Sequence, residues 1–116
     1  MLHLTCETEP LRVDLDKATA LGIVVTELVS NSYLHAFPDN VGAISVVLRV
    51  GSGRAVLTVS DNGVGFDQVE TTRRGIGLVR RLVQQVDGSV SHRSDNGSIW
   101  TVVVAVADDA PSATAA

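Results

Sequence analysis

Ser60 to Asp67 reads SDNGVGFD, a stretch in which one carboxylate, Asp61, stands where an alternating apolar segment gives way to closely spaced glycines. The segment before it, Arg54 to Ser60, alternates apolar and polar residues, and Ala43 to Val50 does the same across the GSG of residues 51 to 53. Two such runs around a glycine turn predict a β-hairpin, with Asp61 at its exit and a loop from Asp61 to Arg74 behind it. Gly63 and Gly65 suit tight turns in that loop. Asn62 and Gly63 alone also suit an ordinary β-turn, so the flanking segments carry the weight.

Upstream, Ala18, Leu21, Val25, Leu28, Val29, Ser32 and Ala36 recur at three- and four-residue steps. This predicts a helix capped by Asp14 or Asp16, running to about Ala36 and ended by Pro38. Ile23, Val24, Val25 and Thr26 locally prefer strand, so the reading lets periodicity and caps outweigh propensity. Glu27, Asn31 and His35 are four apart and line a carboxylate, an amide and an imidazole along one helix edge. At the start of the chain Leu2, Leu4 and Cys6 alternate with His3, Thr5 and Glu7, the period of a half-buried strand, until Pro10 breaks it. The lone Cys6 is read as a small apolar packing residue.

Downstream, Gly75 and Gly77 open a second helix with the stripe Ile76, Val79, Leu82, Val83 and Val86, closed by Asp87 and Gly88. Strands follow near Ser89 to Arg93 and Ile99 to Val106, with Asn96 and Gly97 as the hairpin turn. Unpaired N–H groups at the glycine-bearing helix start favour an anion. The order strand, helix, hairpin, helix, hairpin predicts an α/β (α+β) two-layer sandwich, a mixed sheet with helices on one face.

With 116 residues and 45% apolar content the chain suits one compact domain. Residues 107–116, ADDAPSATAA, read as a disordered tail. A net charge of −4 gives no general attraction to nucleic acid or to an anionic membrane. Arg73, Arg74, Arg80 and Arg81, four of the nine basic residues, nonetheless flank Gly75 and Gly77. The single lysine, Lys17, stands far from any glycine loop and no GxxxxGK[ST] stretch exists, which excludes a P-loop; the glycine spacing also disfavours a dinucleotide fold. One cysteine, no signal peptide and no membrane-length apolar run fit a cytoplasmic setting.

ELVSNSYLHAF at Glu27 to Phe37, SDNGVGFD, and RRGIGLVRRLV at Arg73 to Val83, in that order, resemble the N, G1 and G2 boxes of the GHKL ATPases. The wording resembles most the ATP-binding catalytic domain of sensor histidine kinases, in the HWE-type branch, and the likeness runs from Leu2 to about Val106. The resemblance implies a Bergerat fold over residues 1–106. Relatives usually carry one more helix before the first strand, so this chain is expected to be a trimmed piece.

The resemblance also implies the site. Asn31 would hold Mg²⁺ together with ATP phosphates, Glu27 would hold a coordinating water or act as base, and His35 would lie near phosphate or ribose. Asp61 would accept a hydrogen bond from the adenine amine, where guanine would present a second acceptor. Gly63 and Gly65 would turn against the base, and Thr101 would support Asp61 from a neighbouring strand. Arg73, Arg74, Gly75, Gly77 and Leu78 would meet the phosphates. The implied activity is transfer of the γ-phosphoryl group of Mg·ATP to a histidine on a separate dimerisation domain of the same parent kinase, with a response regulator downstream. A serine kinase of the anti-sigma-factor type shares these boxes, and a module that has lost ATP is the remaining alternative. Two departures stand out: Leu34 replaces the usual basic residue before the histidine, and the interval from Asp67 to Gly75 is short.

Overall fold

The structure, a computed structural model, describes residues 2–35, 41–63, 76–94 and 96–106. Among the described residues, five strands and two helices follow one another as β1 (Leu2–Thr8), α1 (Leu15–His35), β2 (Gly42–Gly51), β3 (Arg54–Asp61), α2 (Ile76–Gln85), β4 (Ser89–Ser94) and β5 (Ser98–Ala105). The sheet order is β1-β2-β3-β5-β4. Only the β1–β2 pair is parallel; the three others are antiparallel, so the sheet is mixed as the sequence predicts. The expected tail, residues 107–116, lies outside the described residues.

Asp14 is the cap of α1: its side chain accepts the N–H of Lys17 at 2.9 Å and its carbonyl accepts that of Ala18 at 3.0 Å. The buried spine of the helix is Ala20, Val24, Leu28 and Ser32, one residue per turn, with Asn31 beside it. This corrects the predicted stripe in part, since Ala18 is exposed and Leu21 and Val25 are only half-buried. Several apolar residues crowd this helix, and periodicity alone did not say which edge of a broad apolar face meets the sheet.

Alternation places Ile44 and Val46 of β2, Ala55, Leu57 and Val59 of β3, and Trp100, Val102 and Val104 of β5 on the helix-covered face. They pack against Val24 and Leu28 of α1 and Ile76, Val79 and Val83 of α2. The opposite face carries Thr58, Thr101 and Ser91 in one row across β3, β5 and β4. The β2–β3 hairpin turns at Ser52 and Gly53, both at positive φ, as a two-residue primed turn requires.

β1 departs from expectation. As an edge strand it leaves Leu4 and Cys6 exposed, so Cys6 does not pack into the core. Beside it, Leu2, Leu4, Val29, Tyr33 and Ile44 line an open apolar groove of about 470 Å³. Glu9 fastens the far end of β1, accepting the N–H of Val50 at 2.6 Å.

α2 ends as predicted at Asp87 and Gly88. Asp87 takes the left-handed conformation (φ 57°) and the Gly88 N–H reaches back to the Val83 carbonyl at 2.9 Å, a Schellman closure. A Cβ on Gly88 would lie 2.7 Å from the Val103 carbonyl oxygen and 2.8 Å from a Val104 methyl. On β4, His92 stacks on Trp100 with ring centroids 4.3 Å apart. Burial, reinforced by the Arg80 charge and opposed by Asp61, holds the His92 imidazole below its ordinary pKa of 6.5.

Two outcomes follow from this packing. Gly88→Ala should cost about 1–3 kcal/mol in a urea unfolding midpoint experiment, because backbone and valine methyls must move to admit the methyl. The unfolded chain binds a proton at His92 more readily than the folded one, so this group's contribution to stability is complete above the ordinary histidine range and declines as pH falls through it. Thermal midpoints measured across that range should therefore fall less steeply in His92→Gln than in the natural sequence.

Candidate nucleotide site

The polar centre of the helix-covered face is Asp61, the last residue of β3. Strand parity turns its carboxylate inward with Val59 and Leu57, and only 8% of the residue is exposed. A carboxylate so placed needs donors to replace water. Ser32 of α1 donates its hydroxyl to Oδ2 at 2.6 Å, and the N–H groups of Gly63 and Ser98 both reach Oδ1, at 3.1 and 3.3 Å. The Gly63 bond is an Asx turn within the loop, whereas the other two come from distant parts of the chain.

Gly97 makes the close approach of β5 possible. It sits at φ 134°, and a Cβ there would collide with the Asp61 carbonyl oxygen. Asn62 points the other way: its side chain accepts the Ala43 N–H at 2.8 Å while its own N–H reaches the Ala43 carbonyl at 3.2 Å, continuing the hairpin by one step.

Asn31, next to Ser32, is also buried, and Glu27 one turn earlier is half-buried. His35 is the last residue of α1. Gly77 and Leu78 lie in the first turn of α2, both exposed, and a Cβ on Gly77 would meet no atom of the described residues within 4 Å. α1 and α2 lie side by side on the sheet. Gly65, Arg73, Arg74 and Gly75 lie outside the described residues.

Thr101 is a correction. It faces the other side of the sheet, opposite Thr58 and Ser91, and cannot support Asp61. The residue paired with Asp61 is Ser98, whose side chain is fully buried and whose hydroxyl has no hydrogen-bond partner among the described residues. Counting back by two from the buried Trp100 reaches Ser98 and passes over Thr101, a parity signal available in the sequence. Ser32 was visible only as one member of an apolar stripe.

The donor set suits a base better than a dedicated metal cage. Among the described residues no group of three or more His, Cys, Asp and Glu side chains gathers to hold a metal ion. Among the described residues the groove beside β1 is lined by apolar side chains together with His3 and Ser30.

The family model described as histidine kinase-, DNA gyrase B-, and HSP90-like ATPase matches residues 16–109. The chain is 38% identical over 88 residues to the sensor histidine kinase PdtaS of Mycobacterium tuberculosis, covering 70% of this chain and 18% of that protein. It is 36% identical over 85 residues to PdtaS of Mycolicibacterium smegmatis, covering 67% of this chain and 17% of the relative. It thus spans under a fifth of these relatives' length. The serine-protein kinase RsbW of Bacillus thuringiensis is 28% identical over 94 residues, with 81% of this chain and 55% of that protein covered. Among solved structures, the blue-light-activated histidine kinase of Erythrobacter litoralis superposes with a TM-score of 0.82 at 24% identity, over 90% of this chain and 35% of that one. The catalytic domain of histidine kinase ThkA gives 0.72 at 16% identity, over 90% and 78%. At these identities the likeness speaks for the fold, while the family match extends over the helix and hairpin that clamp Asp61. This chain belongs to the histidine kinase-, DNA gyrase B-, and HSP90-like ATPase family.

Proposed function

We propose that this domain binds Mg·ATP between α1 and α2 and delivers the γ-phosphoryl group to a histidine on a separate helical dimerisation domain of the same parent kinase. The observation that carries the reading is the Asp61 carboxylate, buried yet clamped on both oxygens, beside a Ser98 hydroxyl that lacks a partner among the described residues. A base carrying an exocyclic amine beside a ring nitrogen complements an acceptor-only carboxylate next to a hydroxyl. Guanine would set its carbonyl oxygen against the carboxylate.

At the other end, Asn31 offers one amide oxygen and Glu27 a carboxylate that orients water or takes a proton. Magnesium binds through few protein oxygens plus phosphate and water, which matches this sparse donor set, and when bound it would neutralise phosphate charge. Gly77 and Leu78, exposed in the first turn of α2, would offer helix N-terminal N–H groups to phosphate oxygens. Leu78, together with Gly65, Arg73, Arg74, Gly75 and His35, completes the proposed contact set.

The acceptor comes from elsewhere. His3 and His92 lie in strands and His35 ends α1, so none sits on a helical bundle. The acceptor imidazole nitrogen forms a bond to Pγ as the bond from Pγ to the departing ADP oxygen breaks. A response regulator would then receive the group. No described helix is long and apolar enough to cross a membrane.

A serine acceptor is the second reading, favoured by the larger share of this chain and of RsbW that align. The higher identity to PdtaS favours histidine. Phosphate transferred to a partner should be lost in acid; acid-stable phosphoserine would transfer the assignment to the second reading.

Nucleotide titration tests the pocket itself. ATP with Mg²⁺ should bind well ahead of GTP, and Asp61→Asn should weaken ATP by about ten- to a hundredfold, the worth of a charge-assisted hydrogen bond of ~1.5–3 kcal/mol. Asn31→Ala should bring ATP affinity in Mg²⁺ down to its value in chelator. Equal binding of GTP, or ATP affinity unchanged in both variants, would refute the site, and no binding at millimolar ATP would make the domain a non-catalytic module.

A further inference from the structure

We infer that Ser32 is a positioning residue for base recognition: its hydroxyl sets the plane of the Asp61 carboxylate so that the carboxylate reads a 6-aminopurine. The inference deepens the ATP reading above and rests on it.

A carboxylate turns readily about its bond to Cβ, because terminal torsions of this kind have broad minima. The two backbone donors both fall on Oδ1, from Gly63 at 3.1 Å and Ser98 at 3.3 Å. The group is rigid and planar, so these bonds already limit its rotation, but both are long. Ser32 supplies the bond to the other oxygen, at 2.6 Å the shortest of the three, and so does most to hold the plane. With that plane set, the remaining lone pairs have one direction in which to meet an incoming amine.

Ser32 is not there for the helix. Only 1% of it is exposed, on the spine of α1 where alanine would favour helix more strongly. A serine inside a helix commonly returns its proton to a carbonyl of the preceding turn; this one donates it to Asp61 on β3, 29 residues away in sequence. The side chain thus spends its single donor on the carboxylate.

The position has a second consequence. Ser32 follows Asn31 directly, so the residue proposed for the metal end and the residue that orients the base end belong to one turn of one rigid helix. Any shift of α1 that moves the amide also moves the carboxylate plane.

The experiment compares ATP with purine riboside triphosphate, which lacks the 6-amino group, in the natural sequence, Ser32→Ala and Ser32→Thr, each verified as folded by circular dichroism. The natural chain should prefer ATP by about tenfold or more, the worth of one charge-assisted bond. In Ser32→Ala this preference should shrink to within about threefold, with affinity for the amine-free nucleotide almost unchanged, and Ser32→Thr should retain it. Full preference in Ser32→Ala, or equal weakening of both nucleotides, overturns the inference, since a merely structural serine would affect both alike. Should alanine prevent folding, Ser32→Thr carries the test alone: preference kept supports the role, and preference lost in the folded variant overturns it. No preference in the natural chain would instead remove Asp61 as the reader of the base, a failure of the underlying reading distinguishable from that of Ser32.

Discussion

The hydrogen bonds on Asp61 are the constraint on which the rest of the site depends. A carboxylate taken out of water is costly unless its oxygens are satisfied, and here the donors come from α1, from the loop after β3 and from the start of β5. Each donor fixes a distance between elements remote in the chain. The hairpin must deliver Asp61 inward, β5 must begin opposite it, and α1 must cross above it with Ser32 facing down. Gly97 lets the β5 strand come this close, because any side chain there would strike the Asp61 backbone.

The two ends of the sheet are built differently as a result. At the Asp61 end lie glycines, buried hydroxyls and the starts of strands. At the other end of the β3–β5 pair, Arg54 faces Ala105, and the Ala105 carbonyl accepts Lys17 Nζ at 2.6 Å. The two ends are separated by roughly 23 Å of extended strand, estimated at about 3.3 Å per residue. The single lysine therefore ties α1 to β5 far from the candidate site. Arg49 pairs with Glu7 and Glu9 at 3.8 Å across exposed surface, contacts of the kind that contribute little to stability.

Between these ends the core formed by the described residues is aliphatic apart from Trp100, which lies beneath the helix layer with His92 stacked on it. The apolar side chains of α2 hold that helix on the sheet, in contact with α1. β1 contributes least to this arrangement: among the described residues it pairs on one side only and leaves Leu4 and Cys6 exposed beside an apolar groove.

Local sequence determined the elements, because each carries its own signal in short-range chemistry: Asp14 as a cap, period-two alternation in the two antiparallel hairpins, the stripe of α2 and its closure at Asp87 and Gly88. The N, G1 and G2 boxes likewise identified Asn31 and Asp61 as the residues to follow, since their types and order survive in a linear reading. Tertiary structure decided which side chains meet. Thr101 and Ser98 are hydroxyls on one strand that alternation puts on opposite faces, and register then sets Ser98 opposite Asp61. Cys6 alternates as a buried residue would, but its exposure follows from the edge position of β1, a property of sheet order rather than of any residue. Ser32 looked like one step in an apolar stripe, and its bond to Asp61 exists because helix and strand, 29 residues apart, are pressed together by a core that no short window of sequence contains.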